Sequence, residues 1–273
     1  MDPTRTTVAV DWVSIYTATL DNLRRKWPHD WPGLPVVLHA CVQRLWPVHP
    51  PLVSQAHHLL KAAHAMAQHM EDIARPTDVE PHYHNRLHTA DALCAACLLM
   101  QSLQTQGHQL TDEWMAAVLL AVTSHDVLHP GGANGFLQEF EQRSAIEMQH
   151  IAQGFNIDPV WLERVRELIL RTDPSVVAGN HDKVKHQSFL MNLDWACVLI
   201  NEADILASAM PSHGMALGQA LAAEWAVKNH PLHAVVGTAQ GRLGFLASLR
   251  FSTPASEAFQ MRALVAAQMA PLH

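Results

Sequence analysis

The chain has 273 residues, 49% of them hydrophobic and only 16% charged, with a net charge of −7 when histidines are neutral. Such a chain buries a sizeable core and is excluded from the disordered class. Its few Lys and Arg residues form no basic stripe, which argues against a nucleic-acid partner. No run of about 20 uninterrupted apolar residues is present, so no membrane span is expected.

The elements read as helices punctuated by proline and polar clusters. Asp11 to about Lys26 is amphipathic and stops before Trp27-Pro28. Val36 to Leu45 is a short helix closed by Pro47, Pro50 and Pro51. Leu52 to about Ala74 is a long one, ending near Pro76. Arg86 to about Thr105 keeps helical spacing until Gly107. Asp112 to about Thr123 follows Thr111, a suitable cap. Gln138 to Gln153 is stopped by Gly154, and Asp158-Pro159 opens the next helix, with Asp as cap and Pro in the first turn. Leu190 to about Ser208 and Met215 to Lys228 complete the set. Period-two alternation is nearly absent, so the fold class is all-α.

The four cysteines suggest no zinc ribbon. Cys94 and Cys97 form a C-x-x-C inside an alanine- and leucine-rich helical run, where they read as small buried residues. A reduced cytoplasmic setting fits, and the N-terminal MDPTRTTVAVDW lacks the apolar core of a signal peptide. The 20 histidines are the unusual entry in the composition and raise the expectation of a metal. His57, His58, His64 and His69 read as solvated or core-edge side chains.

Three clusters carry chemistry. In Pro81-His82-Tyr83-His84-Asn85-Arg86-Leu87-His88-Thr89-Ala90-Asp91, His84 and His88 are four apart and share a helix face. Asp91, three beyond His88, can orient a ligand imidazole by accepting its second N–H. A polar surface is the competing reading. In Ser124-His125-Asp126-Val127-Leu128-His129-Pro130-Gly131-Gly132, a His-Asp pair ends a strongly apolar run. Buried charge there is costly unless compensated, and a metal ion compensates it; a satisfied helix cap is the alternative. Asp204 lies on a third apolar run and completes a two-His, two-Asp set. Imidazole and carboxylate together suit zinc, iron or manganese, and a bridging carboxylate with waters suits magnesium or manganese.

Taken together, these segments resemble the catalytic domain of class I cyclic nucleotide phosphodiesterases, within the wider HD-domain phosphohydrolase superfamily. Tyr83-His84-Asn85 through His88 and Asp91 match the family's Y-H-N-x-x-H-x-x-D. His125 through Asn134 match H-D-x-x-H-P-G-x-x-N. Ser144, Glu147 and His150 match S-x-x-E-x-x-H, Thr172-Asp173 matches a T-D after a helix, and Ala203-Asp204-Ile205 matches the late aspartate. The resemblance implies a compact multi-helix bundle forming a single catalytic domain over 1–273. Within it, 1–75 is an N-terminal helical subregion, 80–210 the metal-site core and 211–273 C-terminal helices shaping the substrate pocket.

It further implies two divalent metal ions. His88, His125, Asp126 and Asp204 hold the first, zinc in most of the family, with iron as an alternative. Asp126 bridges to a second, magnesium or manganese, whose waters His129 and Glu147 hold. His84 is the general acid, and the implied reaction is hydrolysis of cyclic AMP or cyclic GMP to the 5′-monophosphate by a hydroxide between the metals. Tyr83, Asn134, Asp173, Gln240 and Phe245 are the candidate pocket residues. The family's purine-gripping glutamine has no counterpart near Glu224-Trp225, and Gln240, close to Phe245 and Phe251, is the candidate substitute. Leu128 stands where the family has a second aspartate. The competing functions are hydrolysis of another phosphodiester or a phosphomonoester, a di-iron oxygenase with His129 and His150 as extra ligands, and a non-catalytic binding domain. The proline-rich N-terminal part is a candidate cover for the pocket or a face for a homodimer.

Overall fold

The computed structural model describes residues 10–51, 54–74 and 80–270. Among them the chain is all-helical, with no strand. Its α-helices are α1 (Trp12–Lys26), α2 (Leu34–Leu45), α3 (Gln55–Ala74), α4 (Arg86–Thr105), α5 (Asp112–Ser124), α6 (Glu139–Ala152) and α7 (Pro159–Leu170). They continue with α8 (Pro174–Val184), α9 (Leu193–Ala209), α10 (Gly214–Val227), α11 (His233–Val236), α12 (Ala239–Ser248), α13 (Pro254–Ala258) and α14 (Met261–Met269). The residues Leu52 and Pro76, which bounded an expected helix, lie outside the described residues.

Side-chain caps set most of the starts. Asp11, Asn85, Thr111, Asp158, Asp173 and Asn192 each accept a bond from a backbone N–H of the first turn. Each such cap is worth roughly 1 kcal/mol. The helix α8 was not anticipated, although Asp173-Pro174 repeats the Asp-Pro signal of α7. The short C-terminal helices α11 to α14 have little amphipathic period of their own and are held by packing.

Helices α4, α5 and α9 form the centre. Met115 to Ser124 of α5 are all buried, as are most residues of α4 and α9. A helix that is apolar all round must lie inside a bundle. Around it, α5 packs on α3 and α7, and α4 packs on α1, α2 and α9. The small residues Ala92, Ala95, Ala96 and Cys97 let these helices approach closely. All four cysteines are free, and Cys97 Sγ donates to the Cys41 carbonyl at 3.6 Å. Trp12 stacks on Phe259 at 5.8 Å, which ties the first helix to the last turns. Among the described residues, no helix is long and apolar enough to cross a membrane.

Candidate metal centre and active site

Three central helices deliver the charged cluster. His88 sits in the first turn of α4, where the Asn85 side chain accepts from the Leu87 and His88 N–H groups. His125 and Asp126 follow the last residue of α5, and Asp204 lies mid-way along α9. One ligand atom from each of these four comes within 4.8 Å of all the others. His88 Nε2 is 2.9 Å from Asp204 Oδ1 and 3.2 Å from Asp126 Oδ2. His125 Nε2 is 3.1 Å from Asp126 Oδ2 and 3.5 Å from Asp204 Oδ1.

The donor set fits a divalent cation. His125 Nδ1 lies 2.8 Å from the Val122 carbonyl and donates to it, so in the neutral ring the Nε2 lone pair faces the two carboxylates. That buried nitrogen makes no hydrogen bond. A lone pair aimed between two anionic oxygens is stable only with a cation among them. The electrostatics agree. Burial opposes charge on His88, yet Asp126 and Asp204 lift it to about 9. The same opposition and the same two carboxylates lift His125 well above the usual imidazole range. Burial alone would raise Asp126 and Asp204, but the imidazoles hold both below the usual carboxylate range. The cluster therefore attracts positive charge strongly, and among the described residues no Lys or Arg pairs with it.

Beside this cluster stands a second one that the sequence reading missed. Glu224 of α10 is buried and accepts from the Tyr83 N–H and the His84 N–H at 2.9 Å each. It also takes the Gly132 N–H at 3.3 Å and lies 2.6 Å from His84 Nδ1. Burial would raise the Glu224 carboxyl, but His84 and these N–H groups bring it down to about 2. So His84 Nδ1–H is held and its Nε2 is left available. The His84 ring stacks on His129 at 3.8 Å. His129 Nδ1 accepts from the Gly131 N–H at 3.1 Å, and burial next to His84 pushes His129 down to about 4, so it is neutral at pH 7. His84, His129 and Glu224 also bring ligand atoms within 4.8 Å of one another and could hold a cation. Gly131 explains itself here: its φ is +73°, and a Cβ would come 3.1 Å from Glu224 Cγ. One signal for Glu224 existed, since a lone carboxylate in the apolar run of α10 is as poor a core choice as Asp204.

Other expected residues are placed differently. Asp91 is buried but gives both oxygens to Arg24, at 3.0 and 2.7 Å, and no bond to a ligand imidazole is present. Glu147 lies away from the cluster with Oε1 at 2.8 Å from His69 Nε2. The buried side chains of α6 are Glu141, Ser144, Ala145, Met148 and Ala152, and Glu147 stands at the edge of that face. Glu141 is buried and accepts from Asn134 Nδ2 at 2.9 Å. Asn134 also donates to Asp173 Oδ2 at 3.2 Å and accepts from the Phe140 N–H at 3.0 Å. Asp173 takes the Gln138 N–H at 2.6 Å and caps α8 through Ser175. Asn134 and Asp173 thus tie loop to helix starts. His150 is exposed, which removes a ligand that the oxygenase reading needed.

A cavity of about 60 Å³ adjoins Tyr83, lined also by Ser208, Met215, Leu221, Arg242 and Phe245. Tyr83 lies 4.8 Å from both the His84 and the His88 rings, so this cavity is next to both clusters. Phe245 is placed as expected. Gln240 is exposed near the start of α12 and does not line the cavity; Arg242, two residues on, does. Phe251 faces a different cleft of about 490 Å³ between α8 and α14.

Residues 83–158 match the family model described as 3′5′-cyclic nucleotide phosphodiesterase. The match spans 76 of the 273 residues. An 83-residue stretch is 35% identical to a Caenorhabditis elegans protein named "Probable 3′,5′-cyclic phosphodiesterase pde-6". Over 83 residues it is 32% identical to 3′,5′-cyclic-AMP phosphodiesterase 4C of Rattus norvegicus. These matches cover 28% of this chain and only 11% and 15% of the two relatives. In fold, the chain is similar to the phosphodiesterase domain of a rhodopsin phosphodiesterase from the choanoflagellate Salpingoeca rosetta. One structure of that domain aligns with TM-score 0.60 and 17% identity over 86% of this chain and 85% of the other. A second aligns with TM-score 0.60 and 16% identity over 96% and 90%. The phosphodiesterase fold thus extends across the helices outside the matched segment.

Proposed function

We propose that the protein is a metal-dependent phosphodiesterase that hydrolyses a 3′,5′-cyclic nucleotide to the 5′-monophosphate. The observation that carries this reading is the pairing of a buried two-His, two-Asp cluster with a carboxylate-oriented histidine beside it. His88, His125, Asp126 and Asp204 would hold a first divalent ion, zinc or iron, and Asp126 would share a second, magnesium or manganese. Divalent ions bound there supply Lewis-acid stabilisation of the phosphate charge and a water acidified for attack.

The chain's own groups handle the leaving group. Glu224 fixes His84 Nδ1–H, so Nε2 is the proton-carrying atom. Protonated there, His84 donates to the departing ribose oxygen, and the adjacent Glu224 carboxylate stabilises the cationic ring until it does. Neutral His129, stacked on His84, adds no competing charge. Tyr83, whose hydroxyl lies 2.9 Å from Ser208 Oγ, walls the substrate side. The free cysteines favour a cytoplasmic setting, and a homodimer is the proposed assembly.

A second reading keeps the mechanism and changes the substrate to another phosphodiester or a phosphomonoester. The lack of a purine-gripping glutamine near Glu224-Trp225 favours it. The test is hydrolysis by purified protein of known metal content on cyclic AMP, cyclic GMP, an aryl phosphodiester and an aryl phosphomonoester, with and without Mg²⁺ or Mn²⁺. Metal-dependent cleavage of a cyclic nucleotide, lost in His84→Ala and Asp204→Ala, is expected. Cleavage of the aryl esters alone selects the second reading. A protein with two irons and no hydrolase activity overturns both.

A further inference from the structure

The cavity beside Tyr83 is mostly apolar; its polar side chains are Arg242 and the mutually hydrogen-bonded Tyr83 and Ser208. The guanidinium is seated by a missing side chain: a Cβ on Gly214 would come within 2.0 Å of Arg242 Nη1. Nη1 donates to the Ser208 carbonyl, and Nη2 contacts the carbonyls of Ala209 at 3.4 Å and Met210 at 3.3 Å. Nη2 also donates to Gln268 Oε1. These acceptors cluster at the C-terminal end of α9, where the helix dipole offsets positive charge. No carboxylate is among its described partners.

Arginine has five N–H donors and no acceptor. The bonds above leave Nε–H and one Nη1–H outside the α9 cap. A ligand edge brought against the guanidinium itself therefore meets donors only. A keto oxygen or ring nitrogen is accepted there; an amino group is met donor to donor and loses its hydration without replacement. Guanine and hypoxanthine present O6 and N7, both acceptors, on one edge, whereas adenine presents N7 beside the N6 amino donors. Phe245, whose ring centroid lies 5.9 Å from the guanidinium carbon, and Tyr83 supply flat faces for a base. Met215, unbranched and 38% exposed, is the lining side chain whose rotation would widen the cavity for one.

We infer that Arg242 is the specificity-determining residue of this pocket and selects 6-oxopurine cyclic nucleotides over adenine ones. The inference rests on the cyclic nucleotide reading above. It is tested by kcat/KM for cyclic GMP, cyclic IMP and cyclic AMP, with an aryl phosphodiester as a control for folding and metal loading. The wild type should prefer cyclic GMP and cyclic IMP over cyclic AMP by roughly 10- to 100-fold, the range of one well-made base-edge contact. Arg242→Gln, whose amide can present either an acceptor or a donor, should bring the ratio to within about threefold of unity, with circular dichroism and metal content showing that it is folded and loaded. Arg242→Lys, again donors only, should keep the preference. A wild-type enzyme that cleaves cyclic AMP as well or better overturns the inference and leaves the cyclic nucleotide reading standing, even if both variants fail to fold. An unchanged ratio in a folded Arg242→Gln overturns it too. Cleavage of the aryl diester with no cyclic nucleotide turned over sinks both readings together.

Discussion

The central helices carry two kinds of acidic site, Asp91 on α4 and the pair Asp126 and Asp204 after α5 and on α9, and the two are compensated in opposite ways. Asp91 is 1% exposed and is matched in full by the two-pronged guanidinium of Arg24. Asp126 and Asp204 meet only imidazoles, one of which points a bond-free nitrogen at them. The first carboxylate has its counter-charge inside the chain, so it ties α1 to α4. The second pair lacks one, so it calls for an ion from outside. Burial alone does not separate structural from functional charge; the source of the compensating charge does.

That contrast can be broken by removing each carboxylate in turn. Asp204→Ala should lose the first metal and lower hydrolysis by about 10³-fold or more, since the whole cation-binding set is compromised. Metal content by elemental analysis and turnover on the panel check this. Asp91→Asn should do the reverse: it strands the Arg24 guanidinium and destabilises the fold by about 2–4 kcal/mol in urea unfolding. Its metal stoichiometry should remain that of the wild type. Loss of metal in Asp91→Asn would end the distinction drawn between the two sites.

Glu224→Gln sharpens the comparison, because Glu224 belongs to neither set. It should lower kcat by about 10- to 100-fold with little change in KM and no loss of the ion held by His88, His125, Asp126 and Asp204, as expected for a residue that positions His84. Glu147→Gln has the smallest expected effect, less than about threefold on kcat/KM. Glu147 faces His69 rather than the cluster. A large loss of metal-activated rate would restore Glu147 to the site and show that α6 adopts another phase when metal is bound.

Much of this arrangement was legible in the chain. The helices from α1 to α7 and α9 to α10 were readable because proline, glycine and capping residues punctuate regular apolar spacing. His88, His125, Asp126 and Asp204 were readable because each is a charged or ligating group on an otherwise apolar run. Glu224 carried the same signal. Glu147 was not readable in the same way, because its partner His69 lies on α3, far away in the sequence. Asn134, Asp173 and Gln240 misled because polarity in a loop is equally the mark of a cap or a tie.

By itself, the sequence determined the all-helical class, most helix boundaries and the four residues of the cation cluster. All of these follow from local periodicity and from the cost of burying charge, which act within a few residues. Only the tertiary structure decided that Arg24 neutralises Asp91, that Glu224 reaches across 140 residues to orient His84, and that Arg242 rather than Gln240 walls the cavity. Those pairings depend on how α1, α10 and α12 dock on the central helices. Docking is set by the shape of many small apolar contacts, including the bare backbone of Gly131 and Gly214, and no short stretch of sequence carries that information.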